Sequence, residues 1–368
     1  MFQCFLSILQ LKVFIMKFKL CLALAILSFI NCSKPTIPLV VGTYTNGDSE
    51  GIYQLTFNTD TGVLSNKKLV ATSSNPSFIT YSPNKKYVYS VNEDKDGTIS
   101  SFKVEKNGSL SFLNKVSANG AHPCHIAVDK SGEKVVVSNY TSGTVSIHSV
   151  LNDGHLSEAS QVFNHTNKNE PSHAHSAQFF KDQLYVADLG RNAVYNYPFN
   201  EESYILKDTS IVSMDEKMGP RHFSMTKNGK FLYIINEYGN SITSVQKTKN
   251  GYQRIDQKTT LSSDYKGDNS CADIHLSKDE RFVYGSNRGE NSIVVFKRNT
   301  EDGTLEKTQN ISVHGDWPRN FTLDPTGKFL IVGNQRSNNI SVFRINANTG
   351  KLTFLHSYEA TAPVCLLF

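Results

Sequence analysis

Three imidazoles, His125, His175 and His222, stand at the same place in successive copies of a repeated sequence unit, and Asp273 and Asn320 take that place in the next two copies. Phe78 and Cys365 complete the set. One residue earlier the copies carry Ser77, Cys124, Ala174, Arg221, Ala272, Arg319 and Val364. A third equivalent position holds Tyr44, Glu93, Tyr140, Leu189, Glu237, Arg288 and Gln335. A layer that only held a fold together would repeat its residues, and these layers do not. Unlike polar groups on a regular frame are what a small-molecule site on a scaffold looks like. Imidazole exchanges protons near neutral pH, and guanidinium groups grip carboxylates and phosphates. The bland alternative is a hydrated channel whose polar groups only bind water.

The equivalence rests on an internal period. An apolar run ending in Asn or Asp recurs at Tyr87–Asn92, Val135–Asn139, Leu184–Asp188, Phe231–Asn236, Phe282–Asn287 and Phe329–Asn334. Successive last residues are 47, 49, 48, 51 and 47 apart, and a weaker member, Leu39–Thr43, lies 49 before Asn92. Each unit reads as four strands. In the first full copy these are Pro76–Tyr81, Tyr87–Asn92, Thr98–Val104 and a strand from Ser109, the last two joined by an Asn107-Gly108 hairpin turn. Similar turn pairs return at Asp153-Gly154, Asn250-Gly251, Asp302-Gly303 and Thr349-Gly350. No long segment has helical periodicity.

The expected fold is therefore all-β: a seven-bladed β-propeller with four antiparallel strands per blade. The chain ends on a lone first strand, Ala362–Phe368, and begins with second to fourth strands at Leu39–Tyr44, Gly51–Phe57 and Val63–Val70. The C-terminal strand should pair with this N-terminal blade and close the ring, so that no sheet edge stays open. In such a ring the start of each first strand and the end of each second strand meet at one mouth of the central channel. The recurrent Asn or Asp at that point reads as structural, through side-chain to backbone hydrogen bonds at the turn. A single Trp argues against the WD-repeat class.

Residues 18–30 form an apolar run after Lys17, the pattern of a secretory signal peptide, with Met16 as the expected start. A retained membrane helix is the alternative, against which stand Lys12, Lys17 and Lys19. The expected organisation is a signal over 1–31, a linker over 32–37 and one propeller over 38–368. Cys32 follows the signal as a site for bacterial lipoprotein-type lipidation, so the expectation is an exported monomer, periplasmic or attached to the outer membrane. The formal charge is +5, and without the three lysines of residues 1–31 it falls to +2. That balance, with no basic cluster, gives no case for nucleic acid. Cys124, Cys271 and Cys365 are widely spaced and read as buried free thiols.

His173-Ala174-His175 has the spacing of a metal-ligand pair on one strand face, but no Cys or carboxylate pattern completes a zinc site, so neither metal nor cofactor is expected. No Gly-x-Ser-x-Gly, P-loop or Rossmann fingerprint is present. Other motifs are informative together: His173-Ala174-His175 with Ala187-Asp188-Leu189-Gly190, Gly219-Pro220-Arg221-His222, Asn236-Glu237, Ser286-Asn287-Arg288-Gly289, and Pro318-Arg319-Asn320-Phe321 with Asn334-Gln335. Over residues 38–368 the chain resembles the lactonase family of seven-bladed propellers. That family includes propeller-type 6-phosphogluconolactonases and fungal carboxy-cis,cis-muconate cyclases. The resemblance implies a catalytic set of His175, Arg221, Glu237 and Arg288 and a metal-free reaction. It implies lactone hydrolysis, with Glu237 or His175 as general base and the arginines on the anionic group and the oxyanion. His125, His173, His222, Asp273, Arg319 and Gln335 would bind substrate and set specificity. An exported enzyme would not meet a cytosolic phosphosugar, so the resemblance gives a reaction class rather than a substrate. A muconate-type lyase and a non-catalytic cell-surface binding propeller are the alternatives.

Overall fold

The computed structural model describes residues 35–166, 170–206 and 209–368. The expected signal over 1–31 and Cys32 lie outside them. The described residues form 28 strands in seven four-stranded antiparallel sheets. The first blade takes β1 (Thr36–Thr43), β2 (Gly51–Asn58) and β3 (Leu64–Thr72). The second takes β4 (Ile79–Tyr81), β5 (Tyr87–Asn92), β6 (Thr98–Val104) and β7 (Leu110–Ser117). The third takes β8 (Pro123–Val128), β9 (Lys134–Asn139), β10 (Thr144–Val150) and β11 (Leu156–Asn164). The fourth takes β12 (Ala174–Phe180), β13 (Gln183–Asp188), β14 (Ala193–Pro198) and β15 (Val212–Ser213). The fifth takes β16 (Pro220–Met225), β17 (Phe231–Asn236), β18 (Ser241–Thr248) and β19 (Gly251–Thr259). The sixth takes β20 (Ser270–Leu276), β21 (Phe282–Arg288), β22 (Ser292–Arg298) and β23 (Leu305–Ser312). The seventh takes β24 (Pro318–Leu323), β25 (Phe329–Asn334), β26 (Asn339–Ile345) and β27 (Leu352–Glu359). The last strand, β28 (Pro363–Leu367), pairs antiparallel with β1 from Val40–Leu367 to Thr43–Pro363, so the terminal strand closes the ring. No helix among the described residues is long and apolar enough to cross a membrane.

The expected and observed strands agree to within a few residues. Two strand starts differ by three residues: β1 begins at Thr36 rather than Leu39, and the first strand of the second blade begins at Ile79 rather than Pro76. Asn75 adopts φ 38°, and the Ser77 amide donates back to its carbonyl at 2.7 Å, a tight turn that occupies the expected strand start. Phe78 still accepts from the Val91 amide at 3.0 Å.

Apolar packing joins neighbouring blades rather than filling one centre. Phe231, Tyr233 and Ile235 of β17 pack with Val283 of β21 and Val294 and Phe296 of β22. Burial of such side chains is worth about 2 kcal/mol each. A second tie is the turn glycine Gly303 (φ 80°), at which an added Cβ would fall 2.4 Å from the Phe231 ring. The recurrent Asn residues add polar ties. Asn92 Nδ2 donates to the Ser74 carbonyl at 2.6 Å, Asn139 Nδ2 to Ala118 at 2.8 Å and Asn287 Nδ2 to Thr260 at 3.1 Å. Each therefore holds its blade to the end of the preceding one. Deleting residues 363–368 strips the partner from β1 and from the Ile79 amide, which donates to Cys365 Sγ at 3.4 Å. The truncated protein is expected to lose its cooperative thermal transition and to associate through the freed edge, as read by melting and gel filtration. An unchanged monomeric melt would show that closure contributes little.

Candidate active site

The geometry of one backbone bond places the polar layers. In six of the seven blades the amide following the second strand donates to a backbone carbonyl ahead of the first strand of the same blade. Examples are Tyr44 to Ala362 (3.2 Å), Glu93 to Asn75 (3.0 Å), Tyr140 to His122 (3.0 Å), Leu189 to His173 (3.1 Å), Glu237 to Gly219 (2.7 Å) and Gln335 to Trp317 (3.1 Å). The residues on either side of this bond therefore share one mouth of the channel.

Three of the four residues expected to be catalytic are in contact there. Glu237 Oε2 lies 2.9 Å from Arg221 Nε and 3.0 Å from Arg288 NH2. Backbone carbonyls hold both guanidinium groups in place: Arg221 donates to Ala272 at 2.5 Å, and Arg288 to Cys271 at 2.9 Å and Ser270 at 3.3 Å. Burial, then Arg288, brings Arg221 down to about 10, so it stays charged at neutral pH. The indole of Trp317 carries Arg288 on its face, 5.2 Å from the ring centre. Across the mouth, Arg319 lies 3.5 Å from Glu93 Oε2 and 5.2 Å from the centre of the Tyr44 ring. Tyr44 in turn donates to Glu93 Oε2 at 2.8 Å.

Deeper in the channel lie the imidazoles. The His222 ring is 5.5 Å from His125 and 5.2 Å from His175, edge to face in both cases, and Phe78 covers His125 at 4.3 Å. His175, the fourth expected catalytic residue, packs edge to face on His222 and feels the charge of Arg221. Burial holds His125 and His175 well below the usual imidazole range, with His222 and Arg221 respectively adding to it, and brings His222 down to about 4. Asp273 sits beside His222, and Asn320 beside Asp273. Gln335 Oε1 is buried with no partner among the described residues. A cavity of about 10 Å³, room for roughly one water, is lined by Ser77, Phe78, Cys124, Arg221, His222, Arg319, Asn320 and Val364.

His173 departs from expectation. It precedes β12 instead of sharing a strand face with His175, and a bulge follows between Ala174 and Ser176. Its Nδ1 donates to the Tyr140 carbonyl at 2.9 Å, and its ring stacks on Tyr140 at 4.8 Å. Strand alternation cannot be extrapolated past a strand end, which is why the pairing failed. The sequence also passed over Glu93, Tyr44, Trp317 and His275 as site residues. Glu93 occupies the same equivalent position as Glu237, a usable signal. Trp317 lies before the repeat position, and His275 lies two residues beyond it. Cys124, Cys271 and Cys365 are buried free thiols. Burial pushes the Cys124 thiol far up, so it offers no nucleophile.

A family model described as lactonase, seven-bladed β-propeller, matches residues 38–368. The chain belongs to the lactonase family of seven-bladed β-propellers. It is similar to the 6-phosphogluconolactonase of Bacillus subtilis, 34% identical over 340 residues, covering 89% of this chain and 97% of the relative. A 6-phosphogluconolactonase of Formosa agariphila is 36% identical over 332 residues, covering 85% and 94%. Among solved structures, the periplasmic gluconolactonase of Pseudomonas aeruginosa superposes with a TM-score of 0.85 at 28% identity, covering 90% of this chain and 98% of that one.

Two predictions concern this buried charge. Removing the carboxylate in Glu237→Ala leaves two interior guanidinium groups facing each other and should cost about 3 kcal/mol in urea unfolding. A loss below about 1 kcal/mol would mean that solvent already answers those charges. His125, His175 and His222 bind protons more weakly folded than unfolded, where the usual value is about 6.5. Between about pH 6.5 and 4 the unfolded chain therefore holds more protons, and stability should fall as pH falls, by about 1.4 kcal/mol per pH unit for each proton of difference. His275, raised by Asp273 despite its burial, opposes this only near and above pH 6.5, because below that the unfolded chain protonates the same ring. A flat unfolding midpoint over that window would contradict the buried neutral cluster.

Proposed function

We propose that the chain is a lactone hydrolase acting on a sugar-derived or acidic lactone. The observation that carries this reading is the convergence of Arg221, Arg288 and Arg319 on one mouth, where a single carboxylate, Glu237, serves two of them and Glu93 lies beside the third. Three guanidinium groups thus stand together in a poorly solvated site. A lactone is an internal ester, so its hydrolysis needs water delivered to the carbonyl carbon and negative charge stabilised on the carbonyl oxygen. Arg221 and Arg288, pre-positioned by Glu237 and backbone carbonyls, supply the second requirement without reorganising. Arg319 takes a carboxylate or phosphate on the substrate. Since Glu237 Oε2 faces two guanidinium groups, its duty is to hold them, and the uncharged imidazoles are the bases this mouth offers. His125, His175 and His222 are these imidazoles.

The names of the relatives support the reaction class: two are 6-phosphogluconolactonases and one structural neighbour is a periplasmic gluconolactonase. The last of these also supports the reading that this chain is exported and meets its lactone outside the cytoplasm. Attachment through a lipidated Cys32 belongs to the same reading.

A pH-stat assay against glucono-δ-lactone, 6-phosphogluconolactone and muconolactone-type compounds tests the function. Acid release above the spontaneous rate is expected, falling at least tenfold in Glu237→Gln and in His175→Ala. Rates unchanged in both would sink the site assignment, and no release from any lactone would favour a binding propeller. Arg319→Ala should raise KM for anionic lactones more than for glucono-δ-lactone. An equal rise for both would remove Arg319 from anion binding.

A further inference from the structure

Asp273 is almost fully buried on the channel axis, and its carboxylate receives five donors. Oδ1 accepts from His222 Nδ1 at 2.8 Å and from the Ile274 amide at 2.9 Å. Oδ2 accepts from Asn320 Nδ2 at 2.6 Å, His275 Nε2 at 3.1 Å and the Phe321 amide at 3.3 Å. A carboxylate held this way is locked in position and stays ionised, far below the usual range despite its burial. An ionised carboxylate can only accept, so the His222 ring carries its proton on Nδ1. The lone pair is thereby fixed on Nε2. That atom is buried, has no partner among the described residues, and belongs to a residue only 6% exposed. His222 lines the water-sized cavity together with Arg221 and Ser77, whose Oγ is likewise buried and without a partner.

The other two imidazoles are not built this way. Nδ1 of His125 faces the Ala177 amide at 3.5 Å, and Nδ1 of His175 has no partner among the described residues. Neither has a carboxylate to fix its tautomer. A general base needs its lone pair held toward the water, within hydrogen-bond reach, by a third group that orients the ring.

We propose that His222, oriented by Asp273, is the general base of this site, and that the small cavity it shares with Ser77 and Arg221 is the berth of the attacking water. This rests on the lactone hydrolase reading. The water gives one proton to His222 Nε2 while its oxygen forms a bond to the lactone carbonyl carbon, and the carbonyl π pair moves onto the oxygen facing Arg221. The tetrahedral adduct then reforms C=O and breaks the bond to the ring oxygen, which takes the proton back from His222. The product is a hydroxy acid, which ionises in water. Asp273 is a positioning residue that touches no substrate. The groups facing His222 are Asp273, Arg221, His125 and His175, with His275 acting through Asp273.

The test measures kcat and KM against pH for wild type, His222→Gln and Asp273→Asn, with ¹⁵N-histidine NMR on the unliganded protein. Gln keeps an oxygen near the position of Nε2 but cannot accept a proton. Its kcat should fall at least 100-fold with KM within threefold, and the acid limb of the pH profile should vanish. Asp273→Asn removes the charge that favours protonated His222, so its acid limb should move to lower pH with a smaller loss of kcat. NMR should show His222 with Nδ1 protonated and Nε2 bare. A kcat within threefold of wild type in folded His222→Gln overturns the proposal, as does a spectrum with Nε2 protonated. A wild type that opens no lactone overturns the functional reading instead, and the tautomer then still decides whether the His222–Asp273 pair exists as described.

Discussion

The first two strands of every blade pair antiparallel, and in six blades one backbone bond ends this pairing and sets the mouth. It ties the residue after the second strand to the residue before the first. Arg221 and Glu237 become neighbours because β16 and β17 meet in this way. Glu93 meets Tyr44 and Arg319 because the first, second and seventh blades do the same around the ring. Side chains far apart in sequence need no loop to reach one another, and a rigid sheet end holds each of them. Sites on such elements keep their geometry better than sites on mobile loops.

That rigidity sustains an arrangement of charge that would otherwise be costly. Interior guanidinium groups are tolerated only where carboxylates and carbonyls answer them. Here Glu237 answers two, and backbone oxygens of β20 take further N–H groups from both. Glu237 is one carboxylate against these two guanidinium groups. Another carboxylate, Asp273, organises imidazoles instead of arginines. The two acidic residues divide the site into a group of arginines and a group of imidazoles.

The propeller was legible because its period is long, regular and punctuated by turn residues. Equivalent residues could be stacked from numbering alone, and the shared mouth of Arg221, Glu237 and Arg288 followed from that stacking. What numbering could not supply was the direction of each side chain. His173 and His175 are two residues apart, yet His173 lies flat on Tyr140 while His175 is buried with its edge to Tyr140 and His222, because the strand begins between them and a bulge follows. Glu93 shares a position with Glu237 but faces a single arginine, since Ser77 and Tyr140 stand where the fifth and sixth blades place Arg221 and Arg288.

The sequence by itself determined the number of blades, the closure by the last strand and the set of residues at one end of the channel. These depend on local pairing and repeat length, which are written along the chain. Only the tertiary structure decided which of those residues touch. It also decided that the cavity beside His222 holds about one water and that His222 is the imidazole whose tautomer a buried carboxylate fixes. Those facts depend on distances across the ring between blades about 50 residues apart. There the balance of desolvation against charge pairing is set by packing rather than by any local pattern.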